Sequence, residues 1–430
     1  MRLIKNLRIP KPDLKSKTID LERKLNVTRQ NIGGLHSALR LTLFSGRLLG
    51  VLPLVGLMNE RSDGLKFTLR SWYSILYIIS LFGQILMSIM TFYWLLQNRI
   101  SLTNFTNFLF YSSSAISFLI LAKIGRYWPK LVMKVEAIEG ELPPLTTDVS
   151  KYCTCIMVFI LAAALVEHLF SIFYGVTVAS VCDPDKVAET FFHYDMPWIF
   201  TYTSYASWKG VLAELFNIQA TFIWSYNDLL IMVISVYLTE HFKTLNQLFE
   251  NAIKQGYYSC DEFRTQHLKI IRLVKLINER IGIYIVICFG SNLYWICTQL
   301  FYSLNKSQTG HFVACQFKVQ NAYKTVHGIE HTVYFTYSFS FLVARTLLVL
   351  LLAARVHSAS VVPLVHLYEI PSHKFNVEVE RFIAQINNIK VALSGLDFFY
   401  VTKTMILTLL GTIVTYELVL LQFNKDTKTN

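Results

Sequence analysis

The sequence predicts an all-α membrane protein of seven transmembrane helices with inverted topology, its N-terminus cytoplasmic and its C-terminus extracellular. Three observations predict this. Long apolar stretches run from end to end of the 430 residues, and the last leaves only a short polar tail behind it. Hydrophobic residues make up 53% of the chain and charged ones 16%, where an ordinary soluble chain is about 25% charged. Lys and Arg, finally, alternate in density between successive connections.

A helix needs about 20 mostly apolar residues to cross the hydrocarbon core. Spans are expected at 72–96, 105–122, 153–177, 209–239, 281–304, 332–353 and 397–423. The second carries Ser112, Ser113 and Ser114, and the seventh is interrupted by Lys403. Another apolar stretch, 41–58, holds Arg47, Gly50 and Pro53 and reads as an interfacial or re-entrant segment within the N-terminal region 1–71. Short cytoplasmic loops keep the excess of Lys and Arg. Fourteen precede the first span, and alternate segments collect thirty on one side against eight on the other. This orientation is the reverse of a G-protein-coupled receptor, so seven spans do not imply that class. The first forty residues lack the apolar core of a secretory signal. The net charge of +12 belongs to this asymmetry and not to a nucleic-acid partner.

The cysteines fit the map. Seven cannot all pair. Cys182 and Cys315 fall outside the membrane and are either a disulfide or two free thiols; sequence alone does not supply their separation. Cys153 and Cys260 fall inside and should stay reduced, and Cys155, Cys288 and Cys297 read as packing residues. Asn305 opens an external glycosylation sequon, whereas the one at Asn26 is cytoplasmic and should be silent.

Two internal segments, 240–280 and 354–396, are too long and too patterned to be plain connectors. Leu245, Leu248, Phe249, Ala252 and Ile253 recur at helical spacing in the first. Val379, Phe382, Ile383, Ile386 and Ile389 do so in the second, after Pro363 and Pro371. Each stripe needs a partner, either within the chain or in a bundle shared by several chains.

Polar residues inside spans are costly and normally face a cavity or a partner. Glu214, Asn217, Thr221, Trp224 and Asp228 fall within about a quarter of one helix circumference, at about 100° per residue. Asn292, Trp295, Gln299 and Tyr302 repeat the pattern in the fifth span, and Glu330, Tyr334 and Tyr337 in the sixth, with His331 beside them. Most occupy the outer halves of their helices. Carboxylates, amides and phenols can bond the hydroxyls of a sugar while Trp and Tyr faces cover its C–H surface. Interhelical hydrogen bonding uses the same residue types, so pocket and glue both remain open. Glu167 and His168 belong to the pocket or form a local pair, and Arg345 is a candidate counter-charge for one buried acid.

Enzyme motifs fall short. His327-Gly-Ile-Glu330-His331 matches an inverted zinc-protease pattern, but it sits at a membrane boundary, Gly328 weakens its helix, and no soluble catalytic domain follows. Cys153-Thr-Cys155 is a weak metal signal. There is no phosphate-cradling glycine loop and no G-x-S-x-G elbow, so neither an enzyme nor a cofactor is expected.

The closing stretch, Thr-Tyr-Glu-Leu-Val-Leu-Leu-Gln-Phe at 415–423, resembles the signature of the insect gustatory receptors, with the tail 424–430 after it. Glu417 departs from the apolar run between Tyr and Gln-Phe and resembles the sugar-receptor branch, as do Phe191-Phe-His-Tyr-Asp-Met-Pro-Trp198 and Arg345-Thr346. With the inverted seven-span plan, the resemblance covers essentially the whole chain. It implies a ligand-gated cation channel in the plasma membrane of gustatory sensory neurons. The subunit would join a homotetramer, or a heteromer with related subunits, and a sugar would bind among the helices of each. Gln422 and Phe423 would form the constriction at the outer end of a pore helix supported by Tyr416. An odorant-type channel for a less polar ligand is the alternative; a secondary transporter lacks the expected repeats.

Overall fold

The computed structural model describes residues 34–59, 62–98, 101–256, 259–305, 312–314, 323–325 and 328–429. Helix ends follow local chemistry. Helix α1 (Leu35–Leu48) leads into a small antiparallel hairpin, β1 (Leu54–Val55) on β2 (Lys66–Phe67), and then α2 (Trp72–Gln97). The Ser101 side chain accepts from the amide of Asn104 and starts α3 (Leu102–Glu139). Asp148 does the same for α4 (Val149–Cys182) by accepting from Lys151. Such caps satisfy amides that the first turn leaves without partners. Two short helices, α5 (Val187–Asp195) and α6 (Pro197–Phe200), fold back before the 48-residue α7 (Ser207–Lys254). After α8 (Cys260–Asn305), β3 (Phe312–Ala314) pairs antiparallel with β4 (Tyr323–Thr325). Next come α9 (Gly328–Val361), α10 (Pro363–Tyr368) and α11 (Val377–Asn388), the last capped by Asn376. A hairpin of β5 (Ser394–Gly395) and β6 (Phe399–Tyr400) precedes α12 (Lys403–Thr429).

Among the described residues, six helices, α2, α3, α4, α7, α8 and α9, are long and apolar enough to cross a membrane. Their burial separates two roles. The most apolar window of α7 is 83% buried, against 22% for α4 and 33% for α2, so α7 is the central post and the other two present their apolar surface outward. The expected seventh span differs: residues 397–402 lie outside any helix, α12 starts at Lys403, and its apolar part among the described residues runs Lys403–Tyr416.

Most of the stretch 41–58 packs inward, with Leu48 and Met58 left exposed. Leu35, Leu39 and Leu43 of α1 and Val51, Leu52, Leu54 and Leu57 after it are buried in the main core beside α3, α4 and α7. Glu139 accepts from the amide of Leu35 at 2.8 Å, and Tyr226 donates to the carbonyl of Thr42 at 3.1 Å. Arg47 is buried without a water-facing end because its guanidinium stacks on Phe44 and Tyr73, 4.7 and 4.2 Å from their ring centroids. Close approach requires Gly46: a Cβ there would stand 2.4 Å from the Tyr226 hydroxyl oxygen. Gly46→Ala is therefore expected to displace Tyr226, break its bond to Thr42 and cost about 1–3 kcal/mol, read as a lower melting temperature of the detergent-solubilised protein. An unchanged melting curve would show that α1 is not wedged against α7.

The segment expected at 240–280 is not a separate unit but the continuation of α7 and the beginning of α8. Likewise α9 runs on through Val361. The amphipathic stripes of the two segments meet each other within one chain: Phe249, Cys260, Leu367, Val379, Phe382 and Ile386 form a second apolar cluster, with the Phe249 and Phe382 rings 5.8 Å apart. Leu248 and Ile389, from the same stripes, stay exposed. Cys182 is disulfide-bonded, while Cys153, Cys155, Cys260, Cys288 and Cys297 are free. Cys315 and the side chain of Asn305 lie outside the described residues.

Candidate functional site

A half-open cavity of about 230 Å³ lies between α3, α4, α7, α8 and α9 at one end of the bundle, and residues of α5 and α6 complete its wall. Helix spacing explains which side chains reach it. On α7, Asn217, Thr221 and Trp224 are one turn apart on a common face; on α8, Trp295 and Gln299 are; on α9, Tyr334 and Ser338 are. Helix α3 adds Thr106, Asn107, Phe110 and Tyr111; α4 adds Glu167, His168 and Ser171; Asp195 and Trp198 close the wall.

One wall is aromatic. The Trp224 and Trp295 rings stand 5.3 Å apart, and Phe110 meets Trp295 edge-on at 5.9 Å. Tyr111 meets Trp198 at 5.7 Å and donates to Asn217 Oδ1 at 3.2 Å. The other wall is polar. Gln299 donates to Ser338 at 3.3 Å, and Ser338 donates to Glu167 Oε1 at 2.6 Å. His168 Nε2 stands 3.1 Å from Glu214 Oε1. Glu167 Oε2, Glu214 Oε2 and Gln299 Oε1 are buried with no protein partner among the described residues. Buried acceptors without donors are expensive, and hydroxyl groups of a ligand would satisfy the two on the cavity wall, those of Glu167 and Gln299.

Five expected site residues therefore line the cavity: Asn217, Trp224, Trp295, Gln299 and Tyr334. The other six stand elsewhere. Glu214 lies behind His168, to which it is bonded. Tyr337 turns to α4 and donates to the carbonyl of Ala163 at 3.1 Å. His331 packs on Tyr174 and Phe335, one layer behind Tyr334. Glu330 lies near the start of α9, off the lining. Asp228 and Asn292 are fully buried beneath the aromatic wall. There Arg345 Nε stands 2.7 Å from Asp228 Oδ2, and neither side chain is exposed. Asn292 donates to Asp228 Oδ1 at 2.7 Å and accepts from Trp224 Nε1 at 3.0 Å. The Arg345 guanidinium lies 4.3 Å from the centroid of the Trp224 ring. Trp224, Asn292, Asp228 and Arg345 thus form a closed ring of contacts across α7, α8 and α9 that joins the cavity wall to the buried ion pair of α7 and α9.

Tyr111, Asp195, Trp198 and Ser338 were not singled out individually from sequence. Asp195 and Trp198 stand in the run 191–198, which marked the sugar branch without indicating a site. Low-polarity surroundings, then the neighbouring Glu214 carboxylate, push the Asp195 carboxyl up to about 7, while His168 pulls it the other way. The sign follows: a carboxyl raised on folding stabilises the protein fully below about pH 4, its unfolded value, and that contribution is lost as pH rises through about 7. The melting temperature of the solubilised protein should fall between pH 5 and 8 by more in the native chain than in Asp195→Asn. Parallel curves would remove Asp195 from the account.

On the described helix α12, Tyr416 and Gln422 are exposed, and the side chain of Phe423 lies outside the described residues.

Solved structures share this architecture. An insect olfactory receptor, OR5 from Machilis hrabei, superposes with a TM-score of 0.56 over 94% of this chain and 99% of its own, at 14% identity. The same receptor in complex with eugenol gives 0.57 at 15% identity. The fold is that of this insect olfactory receptor. In sequence, a profile described as trehalose receptor matches residues 16–430. Gustatory receptor for sugar taste 64f of Drosophila melanogaster is 31% identical over 408 residues, covering 92% of this chain and 82% of the relative. Gustatory receptor 5a for trehalose, from the same fly, is 29% identical over 423 residues, covering 95% and 90%. The chain belongs to the trehalose receptor family, the sugar branch of the insect gustatory receptors. It is a membrane receptor and not an enzyme.

Proposed function

We propose that the protein is the subunit of a sugar-gated, non-selective cation channel that binds one sugar ring in the α3–α9 cavity of each subunit. The observation that carries the reading is the cavity itself: an aromatic wall facing buried acceptors that lack donors. Its volume of about 230 Å³ exceeds the ~150 Å³ that encloses a benzene ring and suits a single hexose. Because the cavity is half-open, a disaccharide would seat one ring inside and hold the second at the mouth. The two carboxyl groups on the wall, Glu167 and Asp195, disfavour an apolar odorant, which would leave Glu167 Oε2 without a donor.

Helix α12 supports the channel half of the reading. Leu407, Leu410, Val414 and Leu418 form an exposed apolar stripe, 50–72% accessible in the isolated chain. A stripe of that length needs lipid or other subunits. Four copies around an axis would bury it, line a pore with α12 and set Gln422 and Phe423 at a constriction toward the outside. The N-terminus would face the cytoplasm, and the continuous lower halves of α7 and α8, with α11, would anchor the assembly. Ligand binding shifts closed and open states only by its differential affinity for them. The test is expression of this chain alone in cells without related receptors, with whole-cell current measured against monosaccharides and disaccharides and with epitope tags at both ends. Sugar-evoked current and an outside C-terminal tag are expected. Silence toward every sugar despite surface expression, or an N-terminal tag reached without permeabilisation, would reject the reading.

A further inference from the structure

The cavity carries more acid than hydroxyl recognition requires. Glu167 and Asp195 line it, Glu214 stands directly behind, and His168 is the one basic side chain on the described wall. The nearest guanidinium, Arg345, is already held by Asp228 at 2.7 Å. His168 in turn is engaged by Glu214 through Nε2 at 3.1 Å, so that nitrogen is already taken. Glu167 is 6% exposed; one oxygen accepts from Ser338, and the other has no partner among the described residues. A carboxylate oxygen left in that state on a cavity wall is a receptor for a donor, and best for a charged one.

Resting on the sugar-receptor reading, we propose that the site discriminates by charge: it accepts neutral sugars, prefers sugars bearing a protonated amine, and rejects those bearing a carboxylate, sulfate or phosphate. An ammonium beside Glu167 makes a charge-assisted hydrogen bond where a hydroxyl makes a neutral one. A carboxylate on the ligand meets like charge in a partly desolvated site and has no free cation to pair with. Rejection by like charge thus adds a repulsive element to the attractive one.

Glucose, glucosamine, N-acetylglucosamine and glucuronate have similar rings and test the idea directly. Two readouts on the full-length protein are needed, evoked current in cells and ligand-induced thermal shift after solubilisation, both near pH 6.5. Glucosamine is expected at a half-maximal concentration about fivefold to tenfold below that of glucose. N-acetylglucosamine, which loses the charge, should lose that advantage, and glucuronate should neither activate nor shift melting. Glu167→Gln should bring the glucose-to-glucosamine ratio toward one; Glu167→Asp, which keeps the charge but draws it back by one methylene, should reduce the preference and serves if the first variant fails to fold. If glucose acts while glucosamine gains nothing, or glucuronate acts equally, the charge filter is wrong and the sugar reading stands. A full preference surviving in both variants also rejects it. If no sugar gives current or thermal shift, the sugar reading itself falls.

Discussion

Arg345→Met is expected to remove most of the protein from the cell surface. The substitution nearly preserves length and apolar stem but strands Asp228, whose carboxylate is 0% exposed, in the middle of three packed helices. Breaking one side of a buried pair costs about 3–5 kcal/mol because the remaining charge keeps its desolvation penalty and loses its compensation. That approaches the ~5–15 kcal/mol that holds a typical domain folded. Asn292 and Cys288 donate to Asp228 at 2.7 Å each, but neither supplies charge. The same guanidinium lies over the Trp224 ring at 4.3 Å, so Trp224 loses that neighbour in the same step. Surface biotinylation and the melting temperature after solubilisation measure the effect. The control is neutralisation of both partners: Asp228→Asn with Arg345→Met should recover more than half of the lost surface protein, since no charge is then left unpaired. Arg345→Lys should fall between, keeping the charge but not the planar group over Trp224. Normal surface levels of Arg345→Met would mean that the pair does not hold these helices together.

That pair also shows where sequence stops being informative. The stripe from Glu214 to Asp228 is real as an angular alignment, yet fourteen residues of helix extend about 21 Å, longer than one sugar ring. Angle selects a face; it does not select a depth. The lower end of the stripe is therefore an ion pair with Arg345, the middle is cavity wall, and the upper end backs His168. Depth becomes legible only when the neighbouring helices are placed. Hydropathy has a comparable limit. It locates where a helix leaves apolar surroundings, not where it ends, because the backbone bonds of α7 continue unchanged into the polar stretch to Lys254. The helix expected to end at 239 runs on to Lys254 without a break. For 41–58, Arg47, Gly50 and Pro53 point to an interfacial or re-entrant segment; what they do not reveal is that the Arg47 guanidinium lies over two aromatic rings within the bundle. Asp195 carried no periodic signal, since its place depends on α5 and α6 folding back over the bundle end. The run 191–198 was conspicuous in composition, with an acid and a Trp among aromatics; a charged residue in such a run between two spans is a reasonable place to look for a cavity lid.

Trp295→Ala should separate ligand recognition from folding more cleanly than any other change in the wall. Trp295 is only part-buried, meets Trp224 at 5.3 Å and Phe110 at 5.9 Å, and takes no part in the ring through Asn292, Asp228 and Arg345. Its loss widens the cavity and removes the face against which a sugar's C–H surface would pack. Aromatic contacts of this kind contribute about 0.5–1.5 kcal/mol beyond the area they bury, and the lost area adds more. A tenfold or larger rise in the half-maximal sugar concentration is expected, with near-normal surface protein. Trp224→Ala is expected to do both kinds of damage, because the same side chain donates to Asn292 at 3.0 Å and underlies the Arg345 guanidinium at 4.3 Å. Its melting temperature should drop along with its response, whereas Trp295→Ala should hold its melting temperature. Concentration–response curves beside thermal melts of the two variants make the comparison. If Trp295→Ala responds as the native receptor does, the aromatic wall is not the recognition surface, and the ligand must sit deeper toward Ser338 or outside the cavity altogether. If the two variants instead lose response and stability in equal measure, both tryptophans belong to the scaffold that holds α7 against α8.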